Sequence, residues 1–209
     1  MKLISWNVRG LGSFEKRREV CQLVREKKPF VLCLQETKMS VFDDIIYKSM
    51  WGDVFVDFSY QPSVGASGGL ITLWNTKEVE VWSTMSFDHV LVILGRFVQT
   101  GEDFALFNAY APCDANRQQV LWNNLSNRLG SLSVQNVCVC GDFNVVRCSE
   151  ERRSVGIVFN QLWSKNFNNF VDGNLLVDLP LRGRKYTWFR GDGKSMSRID
   201  RTYYLKGGV

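Results

Sequence analysis

The chain has 209 residues and a mass of 24.0 kDa, enough to bury most of its apolar surface as one large domain without disulfides. A hydrophobic fraction of 45% with 13% aromatics is that of a packed globular protein, and no apolar run has the length a helix needs to span a bilayer. A net charge of +5 and a pI near 8.9 permit a polyanionic partner without demanding one.

In chain order, residues 2–7 read as a strand that begins almost at Met1, so no signal peptide or transit sequence is expected. Residues 14–27 carry Val20, Leu23 and Val24 at helical spacing among charged neighbours, and 30–35 form an apolar run whose Val31-Leu32-Cys33-Leu34 core reads as buried on both faces. These three segments outline a β-α-β unit. Residues 69–74, 78–83, 90–98 and 103–110 then read as consecutive strands joined by short polar turns. Asp114 is placed to cap a helix over 115–129, where Leu121, Leu125 and Leu129 recur every four residues. A buried strand over 136–140, a helix over 157–167 and strands near 186–190 and 197–204 complete a mixed α/β pattern of helices covering sheets. The six cysteines form no C-x-x-C pair, so they read as small buried hydrophobes in a reducing, intracellular compartment. One internal echo stands out: the strands leading to Glu36 and to Asp142 each follow a helix and each deliver a carboxylate at the carboxyl end.

Short polar motifs at the ends of apolar runs carry the chemistry. Gly141-Asp142-Phe143-Asn144 presents an acid and an amide two residues apart, on one side of the chain. A carboxylate there orients or deprotonates water, and the amide binds phosphate or metal without adding repulsion; a simple turn is the alternative. Glu36, at the end of a wholly apolar strand, needs a cation or an ion-pair partner such as Lys38. With Asn7 it offers half a shell of oxygens to a hard cation. Arg9 follows Asn7 in a loop whose glycines, Gly10 and Gly12, allow close approach to a ligand. Tyr110 is placed either to bond a phosphate oxygen or to leave its hydroxyl in water. Arg198 and Asp200 are two apart in an expected strand and should share a face, as an ion pair or as an element that orients the site. The glycine-rich loop 65–69 is not a phosphate-binding loop, because no Gly-Lys-Ser/Thr follows. Basic residues interleaved with Tyr186 and Trp188 over 182–201 suit a nucleic-acid backbone or a solvated face.

Taken in order, Ser5-Trp6-Asn7-Val8-Arg9-Gly10-Leu11, Gln35-Glu36-Thr37, Asn108-Ala109-Tyr110-Ala111-Pro112, Gly141-Asp142-Phe143-Asn144 and Ser197-Arg198-Ile199-Asp200-Arg201 resemble the endonuclease/exonuclease/phosphatase superfamily. That superfamily includes deoxyribonuclease I, exonuclease III and the apurinic/apyrimidinic endonucleases. The wording of the first motif, together with Lys185-Tyr186-Thr187-Trp188, is particularly similar to the endonuclease domain of plant LINE-type non-LTR retrotransposons. The match runs from Met1 to about Tyr204, within a single domain expected over 1–209.

The resemblance implies a four-layer α/β sandwich of the deoxyribonuclease I type, with two packed mixed β-sheets flanked by helices and truncated at the C-terminus. It implies hydrolysis of DNA phosphodiester bonds with Mg2+ or Mn2+, a nuclear site of action, and a reverse transcriptase domain as partner in the parent element. Asn7 and Glu36 match metal-binding positions. Asp142 matches the residue that activates water, Asn144 and Tyr110 match phosphate or transition-state contacts, and Asp200 matches the family's late acid. Arg9, Lys38 and Arg198 are the expected nucleic-acid contacts. Family members end in a strand bearing Ser-Asp-His, whose histidine touches the scissile phosphate. No such motif follows Asp200 here, and His89 is expected to be structural or on the surface. Activity is therefore expected to be impaired. Two other readings stand beside it: an inactive retroelement-derived fragment that at most binds nucleic acid, and a phosphomonoesterase or phospholipid phosphodiesterase of the same superfamily.

Overall fold

A computed structural model describes residues 2–52, 54–65, 67–134, 136–154, 161–191 and 193–206. The first half of the chain builds a four-stranded sheet in the order β1 (Leu3–Asn7), β2 (Val31–Gln35), β4 (Ser67–Asn75), β3 (Val56–Val64). Between β1 and β2 runs α1 (Phe14–Lys27), whose start is fixed by the Ser13 hydroxyl accepting from the Lys16 backbone N–H at 3.2 Å. A crossover helix of this kind is what lets β1 and β2 lie parallel, with Asn7 level with Gln35. The second helix, α2 (Asp44–Trp51), and the edge strand β3 were not among the sequence expectations. The helix is only eight residues long, and β3 carries Pro62, which a strand tolerates at a sheet edge.

The second sheet has six strands in the order β10 (Val177–Asp178), β13 (Asp200–Lys206), β8 (Asn136–Asp142), β7 (Asp103–Tyr110), β6 (Val90–Phe97), β5 (Val79–Phe87). Its parallel pair, β7 and β8, is again joined by a helix, α3 (Ala115–Gly130), capped by Asp114 as expected. The helix expected over 157–167 is α4, Gln161–Gly173; positions 157–160 lie outside the described residues. The expected strand over 197–204 is two elements, β12 (Met196–Ser197) and β13, broken at Arg198 and Ile199. β12 belongs to a separate three-stranded sheet with β11 (Trp188–Phe189) and β9 (Arg152–Arg153).

Three apolar clusters show the layering. α1 and α2 pack Val20, Val24, Met50 and Trp51 on the outer face of the first sheet. Trp122, Phe167 and Phe170 of α3 and α4 pack on the outer face of the second. Val31, Cys33, Trp74, Ile93, Phe104, Leu106 and Cys140 fill the space between the sheets. Residues 31–34 are wholly buried, as their unbroken apolar run predicts. The result is helix, sheet, sheet, helix, with two mixed sheets face to face.

Candidate active site

Both parallel pairs end at the same rim, and hydrogen bonds register one sheet against the other there. Just below the rim, buried Gln35 donates from Nε2 to Ser5 Oγ (3.0 Å) and across the sheet gap to Asn108 Oδ1 (2.7 Å). Asn108 in turn donates from Nδ2 to the Ile71 carbonyl (3.0 Å) and to Thr72 Oγ1 (3.2 Å). Two fully buried amides bonded to each other across the gap, with Asn108 donating on into the first sheet, fix how the two halves meet. Sequence reasoning gave these two no role. The available signal was an amide near the end of a wholly apolar strand, the same signal that marked Glu36.

At the rim, Asn7 Nδ2 donates to Asp142 Oδ2 at 2.8 Å, and the Asn144 backbone N–H donates to Asp142 Oδ1 at 2.9 Å. Asn7 Oδ1 accepts from the Arg9 N–H at 3.0 Å, and Asn144 Nδ2 donates to the Ala111 carbonyl at 2.7 Å. Asp200 lies level with Asp142 across β13 and β8, and Tyr110 lies level with it across β7 and β8. The Glu36 charge acts on the Tyr110 phenol, and its carboxylate meets Lys38 Nζ at 3.1 Å. Arg9, Glu36, Lys38 and Asn144 all have positive φ, near 50–56°. Left-handed backbone at four non-glycine residues around one point is strain of the kind that concentrates at functional sites.

Gly141 does something other than turn the chain. It lies within β8 at φ 141°, and a Cβ there would stand 1.8 Å from the Ala109 carbonyl oxygen. Its bare backbone lets β8 close on β7, which brings Asp142 level with Tyr110.

Electrostatics follow from this crowding. Asp142 is 3% exposed, and burial, reinforced by the Asp200 charge, pushes its carboxyl up to about 6 against the donors on Asn7 and Asn144. Burial likewise raises Asp200, opposed by Thr187 and by the Arg9 charge. Tyr110 is held well above the ordinary phenol range by burial and then by Glu36 and Asp142. Thr187, which sequence reasoning missed, accepts at Oγ1 from the Ile199 and Asp200 backbone N–H groups at 3.1 and 3.0 Å and so aims Asp200.

Arg198 is not placed as a free contact for nucleic acid. Its guanidinium is 2.9 Å from Asp178 and 3.5 Å from Glu151, beside buried Arg201, which pairs with the same two acids. Its partners are these acids rather than Asp200, and the cluster anchors the loop before β13. Arg9 and Lys38 remain exposed at the rim.

Glu36, Asp142 and Asp200 bring three acids to one rim, with Arg9 and Lys38 among the cations beside them. Among the described residues no group of three or more His, Cys, Asp or Glu converges tightly enough to hold an ion alone. That donor set still fits magnesium, which takes one or two carboxylates and keeps several waters. Asn7 and Glu36 are the residues that would hold it. From Asn7, Asp142 and Asp200 a groove of about 990 Å³ descends along β1, walled by Leu3, Ser5, Leu179, Leu181 and Tyr204.

Comparison with solved structures agrees with this architecture. An apurinic/apyrimidinic endonuclease from Leishmania major superposes with a TM-score of 0.75 at 19% identity, over 98% of this chain and 78% of that one. The Xenopus laevis APE2 catalytic domain gives 0.74 at 14% identity, over 98% and 82%. A Neisseria 3′ phosphatase, NExo, solved with a product DNA hairpin, gives 0.72 at 17% identity, over 98% and 86%. At these identities the likeness is one of fold. The sequence relation comes from the family model, which matches residues 4–204 and so takes in all five motifs: the chain belongs to the endonuclease/exonuclease/phosphatase family.

Proposed function

We propose that this chain is built to hydrolyse phosphodiester bonds in DNA with a divalent cation, Mg2+ or Mn2+, at Asn7 and Glu36. The observation that carries the reading is Asp142. It is a buried carboxylate with two fixed donors, it opens on the groove, and its proton affinity is raised to about 6. A base tuned near neutrality takes a proton from water far better than an ordinary carboxylate. Asn7 and the Asn144 backbone hold the Asp142 carboxylate in one orientation, and Asp200 keeps its basicity high. Tyr110 keeps its proton at neutral pH and donates to phosphate oxygen, with Asn144 beside it. Arg9 and Lys38 receive the substrate backbone. When bound, the cation supplies charge stabilisation for the phosphate oxygens.

The test is Mg2+-dependent nicking of supercoiled plasmid, with an expected loss of about 10²–10⁴-fold in Asp142→Ala. Nicking that survives this substitution, or that persists in chelator, sinks the reading.

The finer claim concerns lineage. The motif wording supports descent from a LINE-type retroelement that acts in the nucleus beside a reverse transcriptase. The groove beside β1, walled by Leu3, Leu179 and Leu181, supports a seat for an extended segment next to the acids. A second outcome is salt-dependent DNA binding with little cleavage. Wild-type protein that binds DNA but fails to nick in Mg2+ and Mn2+ selects it.

A further inference from the structure

The rim of the second sheet runs on past Tyr110. Asp200, Asp142 and Tyr110 sit on one rung of β13, β8 and β7. The next residue on that rung is His89, whose carbonyl accepts from the Tyr110 N–H at 2.9 Å just before β6 begins. With strands about 4.8 Å apart, His89 lies two strand spacings, about 10 Å, from Asp142. The only histidine of the chain thus stands in line with the catalytic acids, although the sequence placed it on the surface or in a structural role.

The turn does not need an imidazole. Asp88 and His89 form a two-residue turn between β5 and β6, and His89 has φ 66°, a conformation that Gly or Asn adopts more readily. The ring is nonetheless fixed. Arg117, in the first turn of α3, places Nη2 3.0 Å from His89 Nε2. A guanidinium only donates, so Nε2 accepts and the ring proton sits on Nδ1. Burial and the Arg117 charge both favour that neutral ring. Arg117 is exposed, and among the described residues no carboxylate lies within ion-pair distance of it. The nearby acids are engaged elsewhere: Asp88 accepts from Asn124 Nδ2 at 3.3 Å, and Asp114 accepts from the Arg117 backbone N–H at 2.9 Å. The helix start adds its own positive potential.

We propose that His89 and Arg117 form a second phosphate contact, which grips the substrate strand within about three nucleotides of the cleaved bond. The inference rests on the nucleic-acid reading above and sharpens it: the substrate is a polynucleotide spanning at least that distance, not an isolated phosphoester. With one nucleotide per ~3.4 Å of helix axis on each strand, and phosphates farther apart than that along the backbone, an offset of about 10 Å is at most about three nucleotides. Arg117 supplies the charge, and the Nδ1–H of His89 supplies a second donor.

The experiment is fluorescence anisotropy of a labelled DNA duplex titrated at several salt concentrations in chelator, with wild type, Arg117→Gln and His89→Asn. Asn tolerates the left-handed turn, and Arg117 is on the surface, so both variants retain the fold, checked by thermal melts. Expected for Arg117→Gln is a roughly tenfold loss of affinity at low salt. The slope of log K against log salt should also be shallower by about 0.9, one phosphate. His89→Asn weakens binding severalfold and leaves the slope unchanged. Wild-type binding that depends on salt, with Arg117→Gln identical to it, overturns the contact and leaves the nucleic-acid reading standing. Absence of salt-dependent binding in the wild type overturns both. Where hydrolysis of bis-p-nitrophenyl phosphate is measurable, both variants should match the wild type. A parallel loss there would assign the pair to the chemistry and refute a remote grip.

Discussion

The two halves of this molecule are variations on one pattern, and their difference marks where the site is finished and where it is open. In the first sheet, β1 and β2 are parallel, joined by α1, and followed outward by the antiparallel β4 and β3. In the second, β7 and β8 are parallel, joined by α3, and followed outward by the antiparallel β13 and β10. Glu36 thus corresponds to Asp142, and Asn7 to Tyr110. Yet Asp142 sits on its strand rung, almost fully buried, while Glu36 falls one residue past the rung and meets Lys38. The half that buries its acid raises proton affinity; the half that lifts its acid out presents it to a cation. The second difference lies on the other flank. β7 is covered by β6 and β5, which bring His89 to the rim, whereas among the described residues β1 has no neighbour on its free side. The groove occupies that side, and Leu179, Leu181 and Tyr204 line it while 40–44% exposed.

The largest effect that tests the comparison comes from two glycines that close the halves. In the second half, Gly141→Ala would drive a Cβ into the Ala109 carbonyl of a central strand, at positive φ, with backbone that cannot move aside. Overpacking and strain together predict a loss of about 4 kcal/mol or more. In the first half, Gly69→Ala meets the Thr37 hydroxyl at 2.3 Å, a side chain that can rotate, so about 2 kcal/mol is expected. Denaturant melts rank the two, and equal losses would mean that β7 and β8 are not the tighter junction.

A smaller effect tests the buried acid. Asp142 has a folded pKa raised to about 6 from 3.8. A raised carboxyl favours the folded state below its unfolded pKa, and that advantage is lost as pH climbs through 6. In metal-free protein the ionised group therefore costs on the order of 2–3 kcal/mol at pH 8 relative to pH 4. Asp142→Asn should flatten this dependence while keeping an acceptor for one of the two donors. The measurement is urea unfolding across pH 4–8 in chelator. A variant whose stability falls with pH as steeply as the wild type's would place the penalty on another group.

Much of this fold is legible in the sequence. Strands ending in a lone acid or amide announced Asn7, Glu36, Asp142 and Asn144, because a polar group closing an apolar run has few structural excuses. The helix-then-acid echo turned out to be the repeated β-α-β plan. What could not be read were features made by pairing across long separations. Arg198 looked like a contact for nucleic acid, since the acids that hold it, Glu151 and Asp178, lie 47 and 20 residues away in sequence. The small third sheet has two-residue strands, too short to show any alternation. His89 carried no periodic signal, and its place on the rim follows only from the register of β6 against β7.

The most delicate test of the comparison is amide exchange in β1 against β7. In a strand paired on one side only, alternate N–H groups point away from the partner. β3, the far edge of the same sheet, is blunted by Pro62, and β5 at the edge of the other sheet carries a register break between Val81 and Ser83. β1, Leu3-Ile4-Ser5-Trp6-Asn7, has no proline, no charge and no bulge. A strand left that plain is shaped for pairing. Hydrogen exchange in isolated protein should therefore find the outward amides of β1 exchanging on the order of 10²-fold faster than any amide of β7, which is paired on both sides. Protection of those amides equal to that of β7 would mean that the free side is already covered in solution, and the contrast between the halves would be lost. Exchange slowed by an added extended peptide, and not by DNA, would identify the groove as a seat for a strand and separate it from the rim where the substrate backbone lies.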